Sequence, residues 1–315
     1  MKVLLVGQNG WIGGQMVNIL KKQTDLEWVG SKARPNDKVA FEKEIEEVKP
    51  THVMSFIGRT HGVTEDGKKW TTIDYLEQKG KIYENVRDNL FSPMVMAMLA
   101  KKYNFHLTYL GTGCIFKFDQ KHPYGDESTG FTESSLPNFF GSAYSTVKGF
   151  TDELMHMLDE VMDVPVLNLR IRMPIVGEHN PRNFVTKICH YDRICSMPNS
   201  MTVLDECLPA ALKMARNGTR GTVNLTNPGL ISHNEILEMY KEIVDPSFTW
   251  QNFSQEEQLK ILAADRSNNC LDTNRLSELC PEVTPIKDAV RTVLGGIKKN
   301  IDNGSAPAPK KQKLS

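Results

Sequence analysis

The chain has 315 residues, 40% of them hydrophobic, enough to bury a full core as one large domain or two packed together. Its 38 basic and 38 acidic residues cancel, so no net field draws it to nucleic acid or to an anionic membrane. No apolar run approaches the ~20 residues of a membrane span, and "MKVLLVGQNG" is too short and glycine-rich for a signal peptide.

Short apolar, β-rich runs recur along the chain: "KVLLVG", "LEWVGS", "THVMSFIG", "FHLTYLG", "VPVLNLRI" and "GTVNLTN". Helical patterns separate them: "GGQMVNILKKQ", "VAFEKEIEEVK", "YENVRDNLFSPMVMAMLAKKY", "AYSTVKGFTDELMHML" and "CLPAALKMARN". This alternation predicts an α/β fold, a Rossmann-type doubly wound parallel sheet covered on both faces. The spacing places 1–173 in that layer, with a strand and helix in 205–228 returning to it. Less regular segments, 174–204 and 229–301, read as a smaller C-terminal domain over the sheet edge. Capping boxes open two helices there, Ser232 with Glu235 and Ser254 with Glu257. The stretch 302–315, ending "NGSAPAPKKQKLS", reads as a disordered tail whose "KKQK" is a solvated charge run.

The first run leads into "VGQNGWIGG", which places Gly7, Gly10 and Gly13 at a strand–turn–helix junction. Gly7 supplies the turn, Gly10 admits a pyrophosphate to the helix N-terminus beside Trp11 and Ile12, and Gly13 lets helix and strand pack closely. The second strand run ends in Ser31, Lys32 and Arg34, with no acid for a ribose 2′-hydroxyl. A hydroxyl and cations suit a 2′-phosphate, so NADPH is favoured over NADH; Lys32 and Arg34 also read as plain loop charges.

The fourth run ends in "LGTGCIF", with Thr112 and Cys114 where the strand enters a loop. Downstream, Tyr144 and Lys148 in "AYSTVKGF" stand one helical turn apart on one face. An ammonium beside a phenol lowers its pKa from about 10, making Tyr144 a proton donor to a developing alkoxide. The six cysteines (Cys114, Cys189, Cys195, Cys207, Cys270, Cys280) show no CxxC spacing. They argue against a metal or a disulfide framework and for a reducing, cytoplasmic setting.

On these motifs the chain is identified as a member of the extended short-chain dehydrogenase/reductases. It resembles the nucleotide-rhamnose synthases, the 3,5-epimerase/4-reductase branch of the dTDP-4-dehydrorhamnose reductase family. The stretches carrying the resemblance include "KPTHVMSFIGRTHG", "GTGCIF", "NFFGSAYSTVKGFTDELM", "LNLRIRMPI", "NPRNFVTKI" and "NLTNPGLISHNEILEMY". It implies a Thr112, Tyr144, Lys148 triad, NADPH at the glycine turn, also touching Tyr144 and Lys148, and a nucleotide 4-keto-6-deoxyhexose as substrate bound by the smaller domain. It further implies that Cys114 and Lys187 move the C3 and C5 protons acidified by the C4 ketone. A thiol near 8.5 and a desolvated lysine suit that task. Taken without the resemblance, Cys114 reads as an apolar filler and Lys187 as a diphosphate cation or surface lysine.

For the substrate diphosphate, Arg182 and Arg266 offer guanidinium forks, beside Asn183. Asn89 matches an asparagine placed behind the active site. Arg59 and His61 read equally as substrate contacts or as loop packing. Arg170 and Arg172, in a buried strand, each require a partner. His233 reads as the first residue of a capped helix. Other readings stay open: a reductase without epimerase activity, a reductase of another carbonyl, or a non-catalytic NADP-binding regulatory subunit. The expected partner is a small nucleotide sugar, and the sequence allows a homodimer.

Overall fold

The computed structural model describes residues 1–304. The expected "KKQK" patch and most of the expected tail therefore lie outside the described residues. Six strands form one all-parallel sheet: β1 (Lys2–Val6), β2 (Glu27–Gly30), β3 (His52–Ser55), β4 (His106–Thr112), β5 (Val166–Ile171) and β6 (Gly221–Asn224). The spatial order is β6-β5-β4-β3-β1-β2. Each of the six apolar runs became one of these strands; in all but the edge strand β2, whose Glu27 and Val29 are exposed, side chains buried on both faces leave the run without polar alternation.

Successive residues of β1 feed opposite faces. Leu4 and Val6 join a core with Phe41, Ile45, Val95, Leu99 and Met155, carried by helices Lys38–Val48, Ser92–Tyr103 and Ala143–Glu160. Val3 and Leu5 meet Met16, Leu20, Leu204 and Leu208, from helices Trp11–Leu20 and Leu204–Arg216. The chain runs from β1 to β2 on one side and returns to β3 on the other. The crevice between β1 and β3 is thus the switch point where such sheets bind ligands. Gly7, the loop after Ser55 and the Thr112–Cys114 loop all leave the sheet at this end.

A separate hydrophobic cluster gathers Ile175, Val185, Ile188 and Val203 with Ile231, Leu237, Val290 and Leu294. Helices Phe184–His190, His233–Ile243 and Ile286–Asp302 supply most of it. Both capping boxes are formed: Ser232 and Ser254 each accept the N–H of the glutamate three residues on, which reaches back to their own N–H. His233 is the first helical residue, and burial lowers its pKa to about 4. The run around "YENVRDNLFSPM" is broken: Ile82–Val86 is α-helical, Arg87–Phe91 is π-helical, and Ser92–Tyr103 resumes with Pro93 in its first turn. Among the described residues no helix is long and apolar enough to cross a membrane.

Candidate active site

Gly7 takes φ +92°, a region L side chains rarely adopt, while a Cβ on Gly13 would lie 2.0 Å from the Gly7 carbonyl oxygen. No other residue permits this approach of helix to strand. Gly10 caps the helix with no side-chain acceptor, and its first turn holds no acid. The N–H groups of that turn, with the positive end of the helix dipole, therefore face outward for an anion. Trp11 and Ile12 are half-buried, packing partly against the core on this face, and carry the first backbone N–H groups of the turn. A dinucleotide diphosphate fits this cradle.

At the end of β2 the expectation needs correction. Ser31 is buried, and its hydroxyl donates to the Glu44 carboxylate at 2.6 Å. The same carboxylate accepts the Lys32 and Ala33 N–H groups at 2.7 and 3.1 Å. Ser31 is thus committed within the chain, whereas the Lys32 and Arg34 side chains are exposed, with no ion pair among the described residues.

Thr112, Cys114, Tyr144 and Lys148 converge. Ser142 caps the helix that carries Tyr144 and Lys148, accepting the Ser145 N–H at 3.0 Å, and Glu77 takes the Ala143 N–H at 2.7 Å. Thr112 accepts the Cys114 N–H at 3.1 Å and lies within hydrogen-bonding reach of the Tyr144 phenol. Cys114 is half-buried, whereas the other five cysteines are buried. Its thiol is near enough for its charge to bear on Tyr144, Lys148 and Arg172.

The expected effect of Lys148 on Tyr144 is not what this geometry delivers. The Lys148 ammonium donates to the Tyr109 hydroxyl and to the Leu110 carbonyl, and lies 4.4 Å from the Tyr109 ring centre. Burial lowers its pKa to about 7, opposed by the nearby Asp152 carboxylate. Burial pushes the Tyr144 phenol well above the ordinary range, with the Thr112 hydrogen bond working against that rise.

Both strand arginines are satisfied, in different ways. Arg170 forms a buried two-point ion pair with Asp152, at 3.0 and 2.5 Å. Arg172 has only neutral acceptors: the Gly113 carbonyl at 3.0 Å, Asn199 at 2.6 Å, and Ser267 through both hydroxyl and carbonyl. It clamps the loop that holds Cys114.

A second group lies on helix Phe184–His190 and the loop before it. Lys187 sits half-buried on helix Phe184–His190, with its pKa lowered by burial and by Arg182. Exposed Arg182 donates to His61 Nε2 at 2.7 Å. Burial, then the charges of Arg182, Arg59 and Lys187, lower the His61 pKa. Among the described residues no hydrogen bond or ion pair joins Lys187 to Cys114.

A scan against protein-family models finds no match. The chain is 54% identical over 298 residues to protein L780 of Acanthamoeba polyphaga mimivirus, covering 95% of this chain and 99% of that protein. The crystal structure of the L780 UDP-rhamnose synthase superposes with a TM-score of 0.87 over 94% of this chain and 99% of that one, at 56% identity. The chain belongs to the nucleotide-rhamnose synthase family. A second member, the bifunctional dTDP-4-dehydrorhamnose 3,5-epimerase/reductase of Arabidopsis thaliana, is 41% identical over 288 residues, covering 91% and 90% of the two chains. A dTDP-4-dehydrorhamnose reductase from Bacillus anthracis shares the fold alone, with a TM-score of 0.73 over 93% of this chain and 98% of that one at 16% identity.

In this rhamnose-synthase chain, three residues expected to touch substrate are engaged otherwise. Asn89 is buried, exchanges hydrogen bonds with the backbone of Arg59 at 2.8 and 2.9 Å, and donates to Asn85 at 2.8 Å. Asn183 caps its helix and donates to the Val176 and Glu178 carbonyls at 2.9 and 2.7 Å. Arg266 pairs with Asp74 at 2.5 Å and donates to the Ala264 carbonyl at 2.8 Å. Arg59 pairs with Asp88 at 2.8 Å, which favours loop packing over a substrate contact. Sequence reasoning missed Tyr109 and Glu44. A tyrosine in an otherwise apolar buried strand needs a partner for its hydroxyl, and that was the available signal for Tyr109. Nothing local marked Glu44.

Proposed function

We propose that this chain converts a nucleotide-linked 4-keto-6-deoxyglucose into the nucleotide L-rhamnose, by 3,5-epimerisation followed by NADPH-dependent reduction of the C4 ketone. The observation that carries this reading is the half-buried Cys114 thiol beside Thr112 and Tyr144 at the end of β4. A ketone reductase needs the hydroxyl, the phenol and the lysine; the added thiol serves chemistry next to the carbonyl.

The C4 ketone acidifies the C3 and C5 protons, and inversion requires removal on one face and return on the other. Cys114 and Lys187 form the proton couple, on opposite sides of the ring. Burial helps by making Lys187 easier to deprotonate. The cluster spanning 174–204 and 229–301 acts as the substrate lobe and brings Lys187 to the sugar. Arg182, exposed and without a carboxylate partner among the described residues, takes the diphosphate.

When bound at the glycine turn, the nicotinamide supplies hydride to C4. Tyr144 gives the proton to the C4 oxygen, with Thr112 holding that oxygen. The raised phenol pKa keeps this acid loaded through neutral and mildly alkaline pH. Lys148, one turn along the same helix and held by the Tyr109 hydroxyl, supplies a buried cation on the cofactor side of the site.

Incubating the protein with NADPH and either the UDP or the dTDP form of the 4-keto-6-deoxyglucose, in deuterated water, tests this. The expected product is the nucleotide L-rhamnose carrying deuterium at C3 and C5, with no added epimerase. A reduced sugar without ring deuterium would leave a reductase only.

A further inference from the structure

We infer that Glu44 sets the balance between NADPH and NADH, because its carboxylate occupies the donors that a 2′-phosphate would use. This rests on the reading that a nicotinamide dinucleotide binds at the Gly7–Gly13 turn. Two successive backbone N–H groups and a hydroxyl aimed at one centre make an anion nest. Here Lys32 N–H, Ala33 N–H and Ser31 Oγ meet at Glu44, at 2.7, 3.1 and 2.6 Å. The nest lies just past β2, where sheets of this kind usually present an acid to the ribose 2′-hydroxyl. This chain has serine at that position and brings the acid from helix Lys38–Val48 instead.

The nest is fixed to the cofactor turn. Gln8, between Gly7 and Gly10, donates its amide to the Ser31 carbonyl at 2.7 Å, and a Cβ on Gly30 would press on that side chain at 3.0 Å. Two opposed provisions therefore share one loop. A carboxylate has about four acceptor sites, so Glu44 with three donors keeps one for a ribose hydroxyl. A 2′-phosphate brings its own negative charge to the same donors and is repelled until Glu44 leaves. The exposed Lys32 and Arg34 reward it once there. Glu44 thus favours the 2′-hydroxyl cofactor, and the two cations favour the phosphorylated one.

Fluorescence titration of the substrate-free protein with NADPH and with NADH, on wild type and on Glu44→Gln, tests this without turnover. The amide keeps an acceptor for the loop but loses the charge. The variant should bind NADPH roughly tenfold tighter while NADH affinity moves by less than about threefold. Adding Arg34→Ala to Glu44→Gln should remove most of that gain, and 2′,5′-ADP should follow NADPH in competition. An unchanged NADPH-to-NADH ratio, with both cofactors still bound, would overturn the role of Glu44 and leave the glycine-turn reading standing. Failure of wild type to bind either would overturn both.

Discussion

The residues proposed for reduction and those proposed for epimerisation are built to different standards. Thr112, Tyr144 and Lys148 hang on a seven-residue central strand and an eighteen-residue helix. They are braced by Arg172 on the Gly113 carbonyl and by Glu77 at the helix start. Lys187 and Arg182 sit on or beside a seven-residue helix of the second lobe, held by Asn183. The difference follows the chemistry. Hydride transfer needs fixed geometry at one carbon, and the C-terminal end of a central strand supplies it. Moving ring protons needs a reachable amine of suitable pKa, the role proposed for Lys187, whose pKa burial lowers.

If the division is real, the two halves should fail separately. Tyr144→Phe should have the largest effect, lowering C4 reduction by roughly 10²–10⁴-fold while deuterium still enters the ring of the 4-keto substrate. Loss of both together would merge the halves. Lys187→Met should lower wash-in by about 10²-fold at one or both ring carbons. Reduction of ready-made 4-keto-rhamnose nucleotide should continue, as read by NADPH absorbance. Equal loss in both assays would return Lys187 to a diphosphate role.

The smallest effect concerns stability. Lys148 has a native pKa of about 7, below the ordinary 10.5, because it is buried. Between those two values the unfolded chain holds a proton that the native chain has lost, so this group makes stability rise with pH across that window. Below it the buried ammonium opposes folding in full. Lys148→Met should remove the slope, raising the melting temperature of the cofactor-free protein more at pH 6 than at pH 10, by about a few degrees. A variant less stable at pH 6 would show that the Tyr109 contact outweighs burial.

The same contrast governs what the sequence disclosed. Five of the six strands were legible because burial on both faces removes polar alternation, the edge strand β2 through its apolar Trp28 and Val29, and the glycine turn because backbone geometry admits no other residue at Gly13. The capping boxes were legible because both partners are three residues apart. Side-chain partners distant in sequence were not. Glu44 reaches Ser31 from thirteen residues away, Lys148 finds Tyr109 at a separation of 39, and Arg266 finds Asp74 at 192. Asn89 and Asn183 stood in the right segments, but their amides were spent on backbone that only the fold brings near.

The most direct measurement is Cys114→Ala, assayed for both reactions on one preparation. If one thiol–amine couple beside the reductase triad inverts the ring, deuterium exchange at C3, C5 or both should vanish. NADPH oxidation on the pre-epimerised ketone should persist near the wild-type rate. Exchange that survives without the sulfur, or activities that fall in parallel, would contradict the account.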